Sequence, residues 1–175
     1  ARRAALAEPL AATHRFNVAT ALFIAGRYDE AERVNREALE LRPTGPVETA
    51  AKVMILERRV DEAIALVAGR PDDPTRRQIV ALAHAAAGRT RAADSALDAL
   101  IEIAQERDPL RIAEVYAFRG ERDRAFDWLE RGSRAAEPGP ARLRLRTVPW
   151  TVKYSPFVAA LRSDPRWPAW AAKAI

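Results

Sequence analysis

Imidazoles, thiols and clustered carboxylates are the side chains from which active sites and metal centres are most often built. This chain is poor in all three. It has no cysteine, which removes disulfides, thiol catalysis and thiolate metal ligation together. Its two histidines, His14 and His84, lie far apart in sequence, so no metal site is expected. His84 falls on the apolar face of a helical stretch, where a buried, hydrogen-bonded imidazole is the expectation. The carboxylates Glu30/Glu32 and Asp72/Asp73 are close in sequence and suit solvent or helix caps. Glu130 with Arg134, and Glu102 with Arg107, read as an ordinary charged face. The seven glycines are scattered and form neither G-x-G-x-x-G nor G-x-x-x-x-G-K, and H-E-x-x-H and G-x-S-x-G are absent. We therefore expect no enzyme and no cofactor. Of the four tryptophans, Trp128, Trp150, Trp167 and Trp170, three lie near the C-terminus, where they read as packing or as a ligand box.

Composition narrows the classes further. The chain has 175 residues, 49% of them hydrophobic and 30% charged, enough for one core or a short repeat array with well-solvated outer faces. No apolar run approaches the ~20 residues needed to span a bilayer. The net charge is +5 and the pI about 10.2, which raises nucleic-acid binding as a reading. All basic residues but Lys52, Lys153 and Lys173 are arginine, and they are scattered among 24 acids. That scatter leaves nucleic acid as the lesser alternative. Residues 1–14 contain Arg2, Arg3 and Glu8 and no long apolar stretch, so no leader is expected. The first residue is Ala1 rather than Met, and we expect the chain to be a segment of something longer.

Whatever function exists must therefore be positioned by repeated elements. One phrase recurs: G-R-Y-D-E-A at 26–31, R-R-V-D-E-A at 58–63, G-R-T-R-A-A at 88–93 and G-E-R-D-R-A at 120–125. Its final alanines, Ala31, Ala63, Ala93 and Ala125, are separated by 32, 30 and 32 residues, the period of a helix–turn–helix repeat. Apolar residues at helical spacing flank each phrase, as in Val18, Ala19, Leu22 and Ala25 before the first and Ala31, Val34, Ala38 and Leu41 after it. Gly26, Gly88 and Gly120 fall where a first helix must stop, because glycine accepts the left-handed C-cap. Asp29 and Asp61 fall where a second helix begins. Pro43 and Pro46 end the first unit. The alanines mark a position facing a neighbouring backbone. Val18–Ala19, Ala50–Ala51, Val80–Ala81 and Ile112–Ala113 supply its counterpart on the first helices.

These features resemble the tetratricopeptide repeat. The first unit does so through Ala19, Gly26, Tyr28, Ala31, Ala38, Leu39 and Pro43. The fourth does so through Ala113, Tyr116, Gly120, Ala125 and Leu129. The second unit has Arg58 for the turn glycine and is cut short by Gly69-Arg70-Pro71, and the third has Thr90 for the turn aromatic. Tyr154-Ser155-Pro156-Phe157 and Leu161-Arg162-Ser163-Asp164-Pro165-Arg166-Trp167 are similar to the ending of tetratricopeptide arrays in bacterial signalling proteins. Those arrays follow winged-helix regulators, nucleotide cyclases or Ser/Thr kinase domains, and their ending usually has phenylalanine where Trp167 stands. The stretch Pro138–Pro149 departs from theirs. Read from its residues, the tail forms two short helices, one capped by Ser155 with Pro156 and one by Asp164 with Pro165. Phe157, Leu161, Trp167 and Trp170 are expected to cover the end of the last repeat, as solenoids require.

The resemblance implies an all-α, right-handed superhelical solenoid of antiparallel helix pairs with a C-terminal helical cap. Residues 1–136 would be an array of about four units and 137–175 a linker with capping helices. It implies a non-catalytic module that binds a partner peptide or helix, in a soluble and more readily cytoplasmic than periplasmic bacterial protein. A structural or homodimerising role within a larger regulator is the alternative. In such arrays the first helices line the concave face. One stripe at helical spacing then gives Phe16, Thr20 and Phe23; Glu48, Lys52 and Ile55; Gln78, Leu82 and Ala85; and Leu110, Glu114 and Ala117. Family members that grip a peptide carboxylate use Lys, Arg and Asn here. Only Lys52 fits, beside Phe16 and Leu82, so an apolar peptide or helix suits the stripe better. The same residues could instead face the tail or a neighbouring unit.

Overall fold

The computed structural model describes residues 2–135 and 149–174, and it is all-α, with no strand among those residues. The helices are α1 Arg2–Ile24, α2 Tyr28–Leu41, α3 Glu48–Leu56, α4 Val60–Ala68, α5 Pro74–Ala86, α6 Thr90–Ala104, α7 Pro109–Phe118 and α8 Arg122–Ala135. The tail adds α9 Pro149–Tyr154, a 3₁₀ segment Pro156–Leu161 and α10 Trp167–Lys173. The chain divides into two compact units, 1–70 and 71–175. The expected array boundary at 136/137, the stretch 136–148 and the side chain of Trp150 lie outside the described residues.

Each unit holds two helical hairpins, α1/α2 and α3/α4 in the first, α5/α6 and α7/α8 in the second. Connections this short force neighbouring helices to run antiparallel. In the first unit α3 also packs on α1 and α2, and in the second α7 packs on α5 and α6. The alanine register fits this packing. Ala31, Ala63 and Ala125 are fully buried and Ala93 nearly so, and their counterparts Ala19, Ala51, Ala81 and Ala113 are also fully buried.

The four hairpin turns share one backbone. The N–H of Gly26 donates to Phe23 O and that of Arg27 to Leu22 O; Arg58, Gly88 and Gly120 repeat the first bond, and Arg59, Arg89 and Glu121 the second. This paired closure is the Schellman ending of a helix, which needs a left-handed residue just past the last turn. Gly26, Gly88 and Gly120 supply it at φ of 75°, 68° and 79°, and Arg58 adopts φ 65° in the same place. An L-residue is strained there. Gly88 and Gly120 lie 62 residues after Gly26 and Arg58, as Ala93 and Ala125 do after Ala31 and Ala63. The second unit thus repeats the first at the level of whole hairpins.

Asp29 and Asp61 fall at the starts of α2 and α4, as expected, without capping them. Arg27 and Arg59, not the aspartates, occupy the cap positions of α2 and α4, and no side chain caps either amide. Asp29, Glu30, Asp61 and Glu62 lie in the first turns, where their charge acts on the helix dipole. Asp73 does cap α5, accepting from the Arg76 N–H at 3.0 Å.

Two contacts shape the cores. In the first unit Phe16 joins Ala12 and Ala38, with Leu39 against them. Its ring covers Gly45 so closely that a Cβ there would strike it. Arg70 clamps this loop by donating to Gly45 O and Pro43 O, both at 3.1 Å. In the second unit Leu110 lies over Gly132 in the same manner.

The tail lies against the last hairpin, with α9 and the 3₁₀ segment on α7 and α10 on α8. Ser155 caps the 3₁₀ segment as expected, accepting from Phe157 N–H at 3.3 Å. Asp164 makes the same kind of bond to the backbone N–H two residues on, but the turn it holds is not part of the last helix. The last helix begins later, at Trp167, and the Asp164 carboxylate accepts from the Arg166 N–H at 3.0 Å and from its guanidinium at 2.9 Å.

Candidate interaction surface

The first helices α1, α3, α5 and α7 carry the stripe at equivalent registers. In the first unit Phe16, Phe23, Lys52 and Ile55 are buried, with exposures of 6, 5, 7 and 1%. Thr20 and Glu48 are half-buried. Thr20 Oγ1 lies 3.4 Å from Thr49 Oγ1 and donates to Phe16 O at 3.0 Å. Phe23 meets the ring of Tyr28 with centroids 5.8 Å apart. Phe16 has the Arg42 guanidinium 5.0 Å from its centroid. Lys52 pairs with Glu48 at 3.0 Å, one turn away on the same helix. The fold therefore sets Thr20 beside Thr49 and Lys52 beside Glu48 and sends the two phenylalanines inward.

In the second unit the stripe is closed. Gln78, Leu82 and Leu110 are fully buried and Glu114 nearly so, with Ala117 also buried and Ala85 half-buried. Gln78 links α5 to α7 by donating to Glu114 Oε2 at 2.6 Å and accepting from Arg111 Nη1 at 2.5 Å. Arg111 in turn donates from Nε to Asp108 Oδ2 at 2.8 Å. Buried charges persist only when paired and hydrogen-bonded, and this network meets that condition across two helices. Arg111 and Asp108 escaped the sequence reading. The available signal was a charged i, i+3 pair breaking the apolar run Leu110–Ile112.

Elsewhere the surface is laced with ion pairs. Arg59 sits among Glu32, Glu57 and Glu62 at 2.7, 3.0 and 2.9 Å. Hydrogen bonding from Arg59 holds the Glu32 carboxyl below its ordinary range, although burial opposes this. Arg27 pairs with Glu30, Arg33 with Glu37, Arg77 with Asp72 and Arg119 with Asp94. Arginines tied into such pairs do not present a continuous basic face. Burial pushes the Tyr116 hydroxyl up, against Arg124, whose guanidinium lies over its ring at 5.6 Å.

Two open clefts lie at hairpin turns. One is lined by Gly26, Arg27, Tyr28, Asp29, Glu30 and Glu57. The other is lined by Gly120 to Arg124 with Asp164 and Arg166. Charges of both signs alternate around each, and neither contains a nucleophile next to a base. His14 is exposed and His84 half-buried. The buried, hydrogen-bonded role expected for His84 is not met, since its Nδ1 is screened from solvent without a hydrogen-bond partner among the described residues. Among those residues no group of three or more His, Asp or Glu side chains could hold a metal ion. No helix among them is long and apolar enough to cross a membrane.

Comparison with protein-family models, with curated proteins and with solved structures gives no match for the chain.

Proposed function

We propose that the chain is a non-catalytic protein-interaction module of the tetratricopeptide type, serving a cytoplasmic bacterial signalling or regulatory protein. In this reading the four hairpins form a right-handed superhelical array over 1–136, and 137–175 links to and caps its end. The observation that carries it is the recurrence of one Schellman turn at Gly26, Arg58, Gly88 and Gly120, each followed five residues later by a buried alanine. Helical hairpins repeated in register present their first helices to a ligand as a row. The bound partner is a peptide or helix.

Burial redistributes the expected contacts. Phe16 and Phe23 support the first unit from inside, so their replacement acts through stability. The reachable polar members of the stripe are Thr20 and Glu48, beside Thr49. The test is selection of helical peptides from a displayed library against the whole chain, followed by affinity measurements on variants. Thr20→Arg and Glu48→Arg should each weaken the selected binders by about tenfold or more, roughly 1.4 kcal/mol. Arg33→Glu and Arg36→Glu, on α2, should leave affinity unchanged. The opposite pattern would move the contact to the second helices and overturn the reading.

A further inference from the structure

A groove open to a partner leaves its lining wet, yet Leu110 and Glu114 on α7 are at most 1% exposed. The helix that carries them is itself covered by α9 and the 3₁₀ segment, while α10 lies on α8. The segment docks through apolar side chains. Phe157 stands edge-on to Phe118 with centroids 5.1 Å apart. Val158 and Leu161 are fully buried. Trp170, 1% exposed, donates its indole N–H to Leu129 O at 3.2 Å. The rim is charged. Arg166 lies 4.2 Å over the Phe126 ring and reaches Asp123 at 2.9 Å, and Lys173 reaches Glu130 at 3.6 Å. The covering segment is basic, with Lys153, Arg162, Arg166 and Lys173 against Asp164, and two of these cations meet carboxylates of α8, Asp123 and Glu130.

We propose that residues 149–174 act as a built-in ligand. They occupy the face of α7 and α8 on which a partner helix with aromatic anchors and basic flanks binds once the segment lifts away. This rests on the interaction-module reading and adds a second contact with its own chemistry, on α7 and α8 rather than on the stripe of α1 and α3. The seat is held at its centre by buried apolar side chains and at its rim by charge. Its rim pairs are open to water, with side-chain exposures of 92% at Asp123, 45% at Arg166, 44% at Glu130 and 60% at Lys173, and exposed pairs hold weakly and are screened by salt. The three covering elements have six, six and seven residues, too short to stay helical once undocked. A competing helix therefore meets a preformed face.

The experiment uses the whole chain and a fluorescein-labelled synthetic peptide of residues 149–174. In the native chain the seat is filled, and apparent affinity is reduced by the fraction of molecules with the segment docked. Arg166→Glu combined with Lys173→Glu repels the resident segment from Asp123 and Glu130, while the peptide keeps both basic residues. The variant should bind the peptide about tenfold more tightly than the native chain. Because the chain has no cysteine, Glu130→Cys with Lys173→Cys can be bridged by a short bis-maleimide, and the bridged chain should not bind. Equal binding by native, rim-variant and bridged chains would overturn the proposal, as would no binding by a rim variant whose α7 and α8 amides keep native protection from hydrogen exchange. Should the rim variant misfold, hydrogen exchange on the native chain decides. Amides of 149–174 should exchange well before those of α7 and α8, and equally slow exchange would overturn the proposal. Peptide binding in trans tests the seat directly, whereas failure to select any external helical peptide would count against the interaction-module reading alone.

Discussion

Asp164 holds the turn into the last helix through one carboxylate and one arginine. Hydrogen bonds from the Arg166 side chain and backbone lower its pKa to about 2. An unfolded aspartate titrates near ~3.9, so the folded form is favoured by deprotonation. This contribution is complete above about pH 4 and is lost as pH falls toward about 2. In acid titrations of stability, Asp164→Asn should lower the plateau above pH 4 and flatten the decline below it. An unchanged acid limb would mean that the clamp does not form in solution. The alanine register makes a second prediction at this scale. Ala125 has no exposed surface, so Ala125→Leu should overpack the hairpin and cost roughly 1–3 kcal/mol in urea denaturation. Ala21 is exposed on α1, and Ala21→Leu should change stability by less than about 0.5 kcal/mol.

At the scale of elements, the tail is the most consequential piece. Trp170 is almost wholly buried against α8, and Trp170→Ala should cost about 3–5 kcal/mol if docking and folding are one transition. A much smaller loss in thermal melting, with α7 and α8 intact, would show that docking is separable. The tail also shows what sequence could and could not convey. Phe157, Leu161, Trp167 and Trp170 were legible as covering residues, because large aromatics after a repeat array have few other uses. The start of the last helix was not. Asp164-Pro165 has the composition of a helix cap, but the carboxylate also holds the Arg166 guanidinium, which reaches Asp123 and the Phe126 ring some forty residues earlier in the chain. The stripe behaved similarly. Its helical spacing was readable, and so was its placement on first helices. The inward turn of Phe16 was not, because it depends on Gly45 leaving space beneath the ring. Nor was the burial of Gln78 and Glu114, which each satisfy the other across two helices.

At the scale of the molecule, four hairpins share one turn. Chain repetition was legible as alanines spaced by 32, 30 and 32 residues. The equivalence of Arg58 to the three glycines adds a physical cost that spacing alone does not reveal. The most direct measurement is the denaturation midpoint of single variants at each turn, with Gly69 as the internal control. Gly69 follows α4 at φ −87°, and a Cβ there meets nothing within 4 Å. Gly26→Ala, Gly88→Ala and Gly120→Ala should each lose about 1–2 kcal/mol, because a side chain is forced into left-handed backbone. Gly69→Ala should be neutral or gain up to about 1 kcal/mol through a less flexible unfolded chain. Arg58→Gly should gain about 0.5–1 kcal/mol by relieving the strained residue. A set in which Gly69→Ala costs as much as the three turn variants, or in which Arg58→Gly destabilises, would contradict the shared turn and the repeat built on it.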